Sequence, residues 1–523
     1  GDATNTTTAT NGTIAIGYQA LKILTVGTQN TAVGYQNMIE TTSGSYNTTL
    51  GYNVMSQDGG LANTNNTFIG ANVASGDWTT TASTSNTGVG AGVMQSAMNG
   101  ATNNTAVGLD GLNALTSGDN NTAIGRSSTD ALTTGVQNTA VGSFSLSTAV
   151  GVNNCVAIGY AAMNSANTQD GSVAVGFAAA NYLVGGLGVT TVGFSSGRYV
   201  TTGDYSTALG YNALGGNVTT NLTGNDNTAI GANAGRDIQG SAEGNVLVGK
   251  DAGMGMTTGN FNVLVGRDAG DSLGAQTHNT AIGTDALGAS SLVDQTVVVG
   301  SQAGLGAMTA DADGTVLMGY SAGAAITSGD GNTMIGYIAG MDITTGGANT
   351  IIGYQAMTNA QTNVGNCTVI GYKAGLKLGD NGLSDHSEHN IIIGSGTMDG
   401  GHDTLANNTA NLNIAIGNNA LGGNTGTSTS LTGTSNTVIG HDAMKVASSG
   451  YDNVIVGKDA GDSVTTGFYN TLIGKGADTS AAGGENQIVI GRAAAGVGDN
   501  TAIIGASSIT DVYMGDNGNT WSQ

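Results

Sequence analysis

An all-β parallel β-solenoid is the fold this sequence predicts, on three observations: one short phrase recurs at a near-constant interval, apolar residues alternate within it, and the 523 residues contain no proline. The phrase is Asn-Thr-Ala-(Ile/Val)-Gly, as in NTAVG at 30–34, NTAIG at 121–125 and NTAIG at 279–283. With its closing glycine as marker, 28 copies run from Gly17 to Gly505, and 16 of the 27 intervals are seventeen residues. The last interval is fourteen residues and every other one is longer, up to twenty-three. A fixed minimum with additions describes a regular coil that tolerates loops.

The strand comes first. The residue before each marker is apolar (Ile16, Val33, Leu50, Val107, Met318, Ile439), and two residues earlier stands Thr, Val or Ile except at Ala502. Side chains alternate in a strand, so these positions share one face. The residue between them points the other way and is also mostly apolar: Ala32, Ala123, Ala229, Leu247, Leu264, Val298, Ile351, Ile392. We read the Thr and aliphatic positions as the inward face. The opposite, alanine-rich face then needs a cover, and a homotrimer packed near its symmetry axis supplies one. The alternative is a monomeric solenoid whose second apolar row is plain surface.

Four residues before the marker, Asn fills 18 of the 28 copies, including Asn30, Asn47, Asn66, Asn104, Asn121, Asn138, Asn227 and Asn245. Stacked coils would align these amides into a structural ladder at the strand spacing of ~4.8 Å. After the marker come a step often beginning with Tyr, Lys or Arg, a small residue, and then Leu, Met or Gly. A second glycine ten residues on (Gly27, Gly44, Gly118, Gly135) is expected to supply the positive φ of a tight turn. Each repeat therefore reads as strand, turn, short strand, turn. Proline would interrupt such a ladder, which agrees with its absence.

The same composition excludes other classes. Ninety glycines without a Gly-X-Y period exclude collagen, the strict aliphatic column excludes a disordered linker, and alternation excludes a helical solenoid. The repeat keeps register from 11 to 505, so we read one domain there, with tails at 1–10 and 506–523. Stacking at ~4.8 Å per coil predicts a rod on the order of 130 Å. A formal charge of −23, three times that in a trimer, argues against nucleic acid or an anionic membrane as partner. No apolar run is long enough for membrane insertion. The chain opens at Gly1 rather than Met, as expected either of a processed product or of a piece of a longer chain.

Chemistry-bearing residues are sparse. Cys155 and Cys367 both stand in the ladder column and lie 212 residues apart, too far to pair within a straight coil stack. The five histidines fit no nucleophile, zinc or phosphate-loop pattern, and neither an enzyme nor a cofactor is expected. Three consecutive twenty-three-residue intervals place insertions at 376–435, where Asp380, Asp385, His386, Glu388, His389, His402 and Asp403 could gather a divalent cation. Of these, Asp385, His386, His389 and His402 are the proposed metal ligands, set against plain solvated loops. A second run of long intervals, between Gly51 and Gly90, carries Trp78, read as exposed on a loop and available for receptor contact, for instance by stacking on sugar rings. Packing of that loop onto the coil is the alternative.

NCVAIG (154–159), GSVAVG (171–176) and NTAIG resemble the head repeat of trimeric autotransporter adhesins, a left-handed parallel β-roll whose shortest coil equals the final fourteen-residue interval here. NTAVGYQ-type repeats are also similar to those of bacteriophage tail fibres and tailspikes. ITDVYMGDNGNTWSQ (509–523) looks like the segment before an endosialidase-type self-cleaving intramolecular chaperone. The phage resemblance carries more weight, and the lack of an anchor or coiled-coil stalk in this sequence argues against a complete autotransporter. It implies a homotrimeric structural fibre of a phage or similar particle, located in the virion or outside the cell. Its partners would be other fibre or particle proteins at its ends and a host-surface glycan or protein receptor. An adhesin head is the alternative. A depolymerising tailspike would need a carboxylate pair that does not stand out, and an ice-binding solenoid would need outward threonine rows, whereas threonine here shares the face read as buried.

Overall fold

A computed structural model describes residues 11–166, 170–216, 219–360, 364–378, 387–399, 409–422, 431–509, 511–513 and 520–522. The chain comprises two units, 1–261 and 262–523. The first holds fourteen strands, from β1 (Ile14–Ile16) to β14 (Val246–Val248), and the second holds β15 (Val263–Val265) to β28 (Ala502–Ile504). Within each unit every strand pairs in parallel with the next, marker on marker, so Thr122 stands beside Thr139 and Ile124 beside Val141. Each unit is therefore a parallel β-solenoid, as the repeat predicts. A separate antiparallel pair, β29 (Asp511–Tyr513) with β30 (Thr520–Ser522), lies past the last coil. The predicted second short strand is reduced to isolated bridges, such as Ser45 with Thr64 and Thr64 with Thr84.

The faces of the strand are the reverse of the reading above. The middle residue points into the coil: Ala32, Ala106, Ala123, Ala140, Leu264 and Leu317 are fully buried. The flanking Thr and aliphatic residues point outward, with Leu50 48 %, Ile124 42 % and Ile282 40 % exposed. The reason is width. The turn after the marker lies directly across a narrow interior and fills it with Leu112, Leu146 or Met163 in different coils, leaving space for a small residue on the strand.

In several coils where the strand residue is large, the turn gives way to glycine, although Ile351, Ile392 and Val438 keep Met357, Met398 and Met444 there. A Cβ at Gly323 would lie 2.7 Å from Leu317 Cδ2, at Gly340 2.5 Å from Met334 Sδ and at Gly270 2.9 Å from Leu264 Cδ2. Most coils with Ala on the strand carry Leu or Met at that turn position, even though it has positive φ (Leu112 +49°, Leu146 +52°, Met163 +48°), the exceptions being Thr129, Ala180 and Gly235. The closed coil over-determines this conformation.

The Asn ladder is present and saturated. Asn121 Nδ2 donates to Asn104 Oδ1 at 3.0 Å and to the Gly135 carbonyl at 2.8 Å, while its Oδ1 accepts from Asn138 N and Nδ2, both at 3.0 Å. Asn47 on Asn30, Asn66 on Asn47, Asn104 on Asn86, and Asn245 on Asn227 repeat the side-chain bond. Buried amides are tolerated because each donor and acceptor is used.

The role predicted for the second glycine is corrected. Gly44, Gly118 and Gly135 do not have positive φ, although Gly329 does (+125°); in these coils it falls on the marker (Gly125, +136°) and on the residue before the ladder position (Asn120, +59°). Gly118 is required by close approach instead, since a Cβ there would lie 2.3 Å from the Gly135 carbonyl oxygen.

Candidate functional site

Because the aliphatic column faces outward, each unit presents a continuous apolar strip. It is widened by the residue after the marker, which forms stacked aromatic columns. Tyr160, Phe177, Phe194 and Tyr211 stack with centroids 5.3, 5.0 and 5.4 Å apart and planes within 11°. Tyr320, Tyr337, Tyr354 and Tyr372 do the same at 5.5, 5.1 and 5.4 Å. Their exposures lie between 45 % and 57 %. Since ring faces are occupied by neighbouring rings, these columns offer edges rather than platforms. Tyrosine at this step was visible in the sequence, but its stacking required knowledge that the register holds between coils.

Of the predicted metal ligands, Asp385, His386 and His402 lie outside the described residues, as do Asp380 and Asp403. His389 is exposed, with Nδ1 3.8 Å from Glu388 Oε2. The described residues instead bring together His441, Asp442 and Asp459, whose ligating atoms lie within 4.8 Å of one another. This set is largely satisfied internally. Asp442 accepts from Asn419 Nδ2 at 2.9 Å and lies 3.0 Å from His441 Nδ1, and Lys458 approaches Asp459 at 3.8 Å. A cavity of about 170 Å³ adjoins it, lined by Gly396, Asp399, Asn419, Gly422, Asp442 and Lys445 among others. A second, of about 290 Å³, is bordered by Asp330, Asn366 and Glu388.

Trp78 is not an exposed receptor contact. It is fully buried, edge-on to Phe68 with centroids 6.5 Å apart and planes at 80°, and its backbone N donates to the Gln57 carbonyl at 2.9 Å. The longer coils between Gly51 and Gly90 return the indole into the interior, where its large apolar area is best spent. Its Nε1 has no hydrogen-bond partner among the described residues.

In the same coils Asp58 occupies the interior column that carries Leu115 and Leu132 elsewhere, and it is fully buried. Thr41 Oγ1 donates to it, as does Gly60 N at 3.3 Å. Burial pushes its carboxyl from 3.8 up to about 6, against the lowering by these hydrogen bonds. Cys155 and Cys367 form no disulfide among the described residues; both are buried in the ladder, their backbone N–H groups donating to Asn138 and Asn349 Oδ1, both at 3.0 Å. Burial raises both thiols above the ordinary value, which suppresses the thiolate.

No protein-family model matches this chain, and no curated protein is similar to it. Among the described residues, no helix is long and apolar enough to cross a membrane.

Proposed function

We propose that this chain is the shaft of a homotrimeric structural fibre of a phage or similar particle, exposed outside the host cell and contributing to attachment. The observation that carries the reading is the outward strip of each unit: Leu50, Ile124 and Leu209 in the first and Ile282 and Ile473 in the second are each 39–48 % exposed in the same strand position. Contiguous apolar surface on this scale marks an interaction site in soluble proteins, and a repeating face is best matched by the same repeat on another copy. Saturated Asn ladders and a filled interior supply stiffness and need no bound group. A bacterial adhesin head would use the same assembly.

Sedimentation equilibrium of the full chain tests this. The expected mass is near 154 kDa, three times 51.3 kDa. A mass near 51 kDa removes the trimer, and the outward strip would then face some other protein.

One observation favours a second reading. The outward face carries threonine on successive rungs (Thr87, Thr105, Thr122, Thr139), which removes the ground on which the sequence argued against ice binding. Thermal hysteresis in a monomeric preparation would support that reading; a trimer without hysteresis excludes it.

A further inference from the structure

We propose that four successive rungs near the end of the second unit carry a binding row for a linear anionic polysaccharide. The inference rests for its setting on the attachment role above and names the ligand chemistry. Register pairs Ile439 with Val456, Val456 with Ile473, and Ile473 with Ile490. The residues two further on, His441, Lys458, Lys475 and Arg492, therefore stand in one column. The backbone ties them together: Asp459 N donates to the His441 carbonyl at 2.9 Å, Gly476 N to that of Lys458 at 2.9 Å and Ala493 N to that of Lys475 at 2.8 Å. All four side chains are exposed.

The row stands out against its own chain, which has only 12 Lys and Arg and a net charge of −23. Where a cation takes this position elsewhere, its charge is usually met. Lys250 pairs with Asp251 and Arg267 with Asp268, each the next residue, and Arg126 lies over the Phe144 ring at 5.2 Å. His441 and Lys458 keep that aspartate as Asp442 and Asp459. At Lys475 and Arg492 it is replaced by Gly476 and Ala493, and neither cation makes an ion pair among the described residues. Two adjacent unneutralised cations on an acidic protein repel one another and raise the local potential for an anion.

The shape of the row selects the ligand. It is one side chain wide and rises ~4.8 Å per rung, which suits a linear polymer with one carboxylate or sulfate every sugar or two. Duplex nucleic acid, with a charge every ~1.7 Å of axis, and a flat anionic bilayer would both spread over Asp442, Asp459 and the acidic surface beyond.

The test is titration of the full chain with polygalacturonate, with uncharged dextran and with duplex DNA as controls. It is run at low and physiological salt on wild type and on the double variant Lys475→Gln/Arg492→Gln. Salt-sensitive binding of polygalacturonate, none of dextran, and a loss of about tenfold or more in the double variant are expected. Equal binding by the variant, no binding by wild type, or tighter binding of DNA overturns the proposal. So does a drop in sedimentation mass of the variant, because the row would then be a contact between copies. Sedimentation of wild type separates the two readings: a trimer that does not bind keeps the fibre and loses the row, and a monomer that binds does the reverse.

Discussion

Coils with alanine on the strand and coils with a large aliphatic there fill the same interior from opposite walls. In the first unit, Ala106, Ala140 and Ala157 face Leu112, Leu146 and Met163; in the second, Leu264, Leu317 and Met334 face Gly270, Gly323 and Gly340. What is held constant is volume, as close packing requires. The two solutions differ in strain. These alanine coils hold Leu or Met at positive φ, whereas these large-strand coils hand that conformation to glycine, which adopts it freely.

The sharpest way to break this comparison is to empty a wall that has no reserve. Leu317→Ala, facing Gly323 and Gly304, should cost about 4 kcal/mol in denaturant unfolding. Filling the opposite wall without clearing the first should also destabilise. Gly323→Leu puts a Cβ 2.7 Å from Leu317 Cδ2 and should cost about 3 kcal/mol through overpacking and positive φ. Combining the two converts one coil type into the other, and the double variant should be more stable than either single one. Simple addition of the two losses would refute interchangeable walls.

A charge in the same interior tests how apolar that space is. Asp58 titrates at about 6 when folded against an ordinary 3.8, so the fold favours its protonated form. The resulting penalty is complete above pH 6 and fades as pH falls toward 4, and at 1.36 kcal/mol per unit it amounts to about 3 kcal/mol. Asp58→Asn should raise stability at pH 7 by up to that amount, and the gain should shrink at pH 5. A pH-independent difference would show that Asp58 does not titrate in this window.

The smallest expected effect lies at the ladder. Asn121→Ala takes the acceptor from Asn138 N and the side-chain donor from the Gly135 carbonyl, and should cost about 2 kcal/mol. The ladder already changes character at Cys155, whose N–H still bonds Asn138 Oδ1, so Asn138→Ala should cost less than Asn121→Ala.

Much of this molecule was legible one residue at a time. A repeat phrase with a fixed minimum determines coil length, alternation determines a strand, and a recurring Asn determines a ladder, because each depends only on positions along the chain. Which face of the strand turns inward is not such a property. Ala106 and Val107 are both apolar, and only the residue across the coil, Leu112, decides which of them the narrow interior accepts. The size exchange between Leu317 and Gly323 was in the sequence, yet it becomes visible only once the two positions are known to touch.

The site followed the same division. His389, at the edge of an insertion, and Trp78, in a long coil, looked like binding residues because loops usually carry function. Trp78 is in the core because its loop folds back. The row from His441 to Arg492 was missed because its members are seventeen residues apart and meet only through register. Composition, period and strand chemistry were thus determined by the sequence itself. Inward and outward, and which distant cations become neighbours, were decided by closure of the coil, because contact across an interior or between rungs is set by the path of the backbone rather than by order along it.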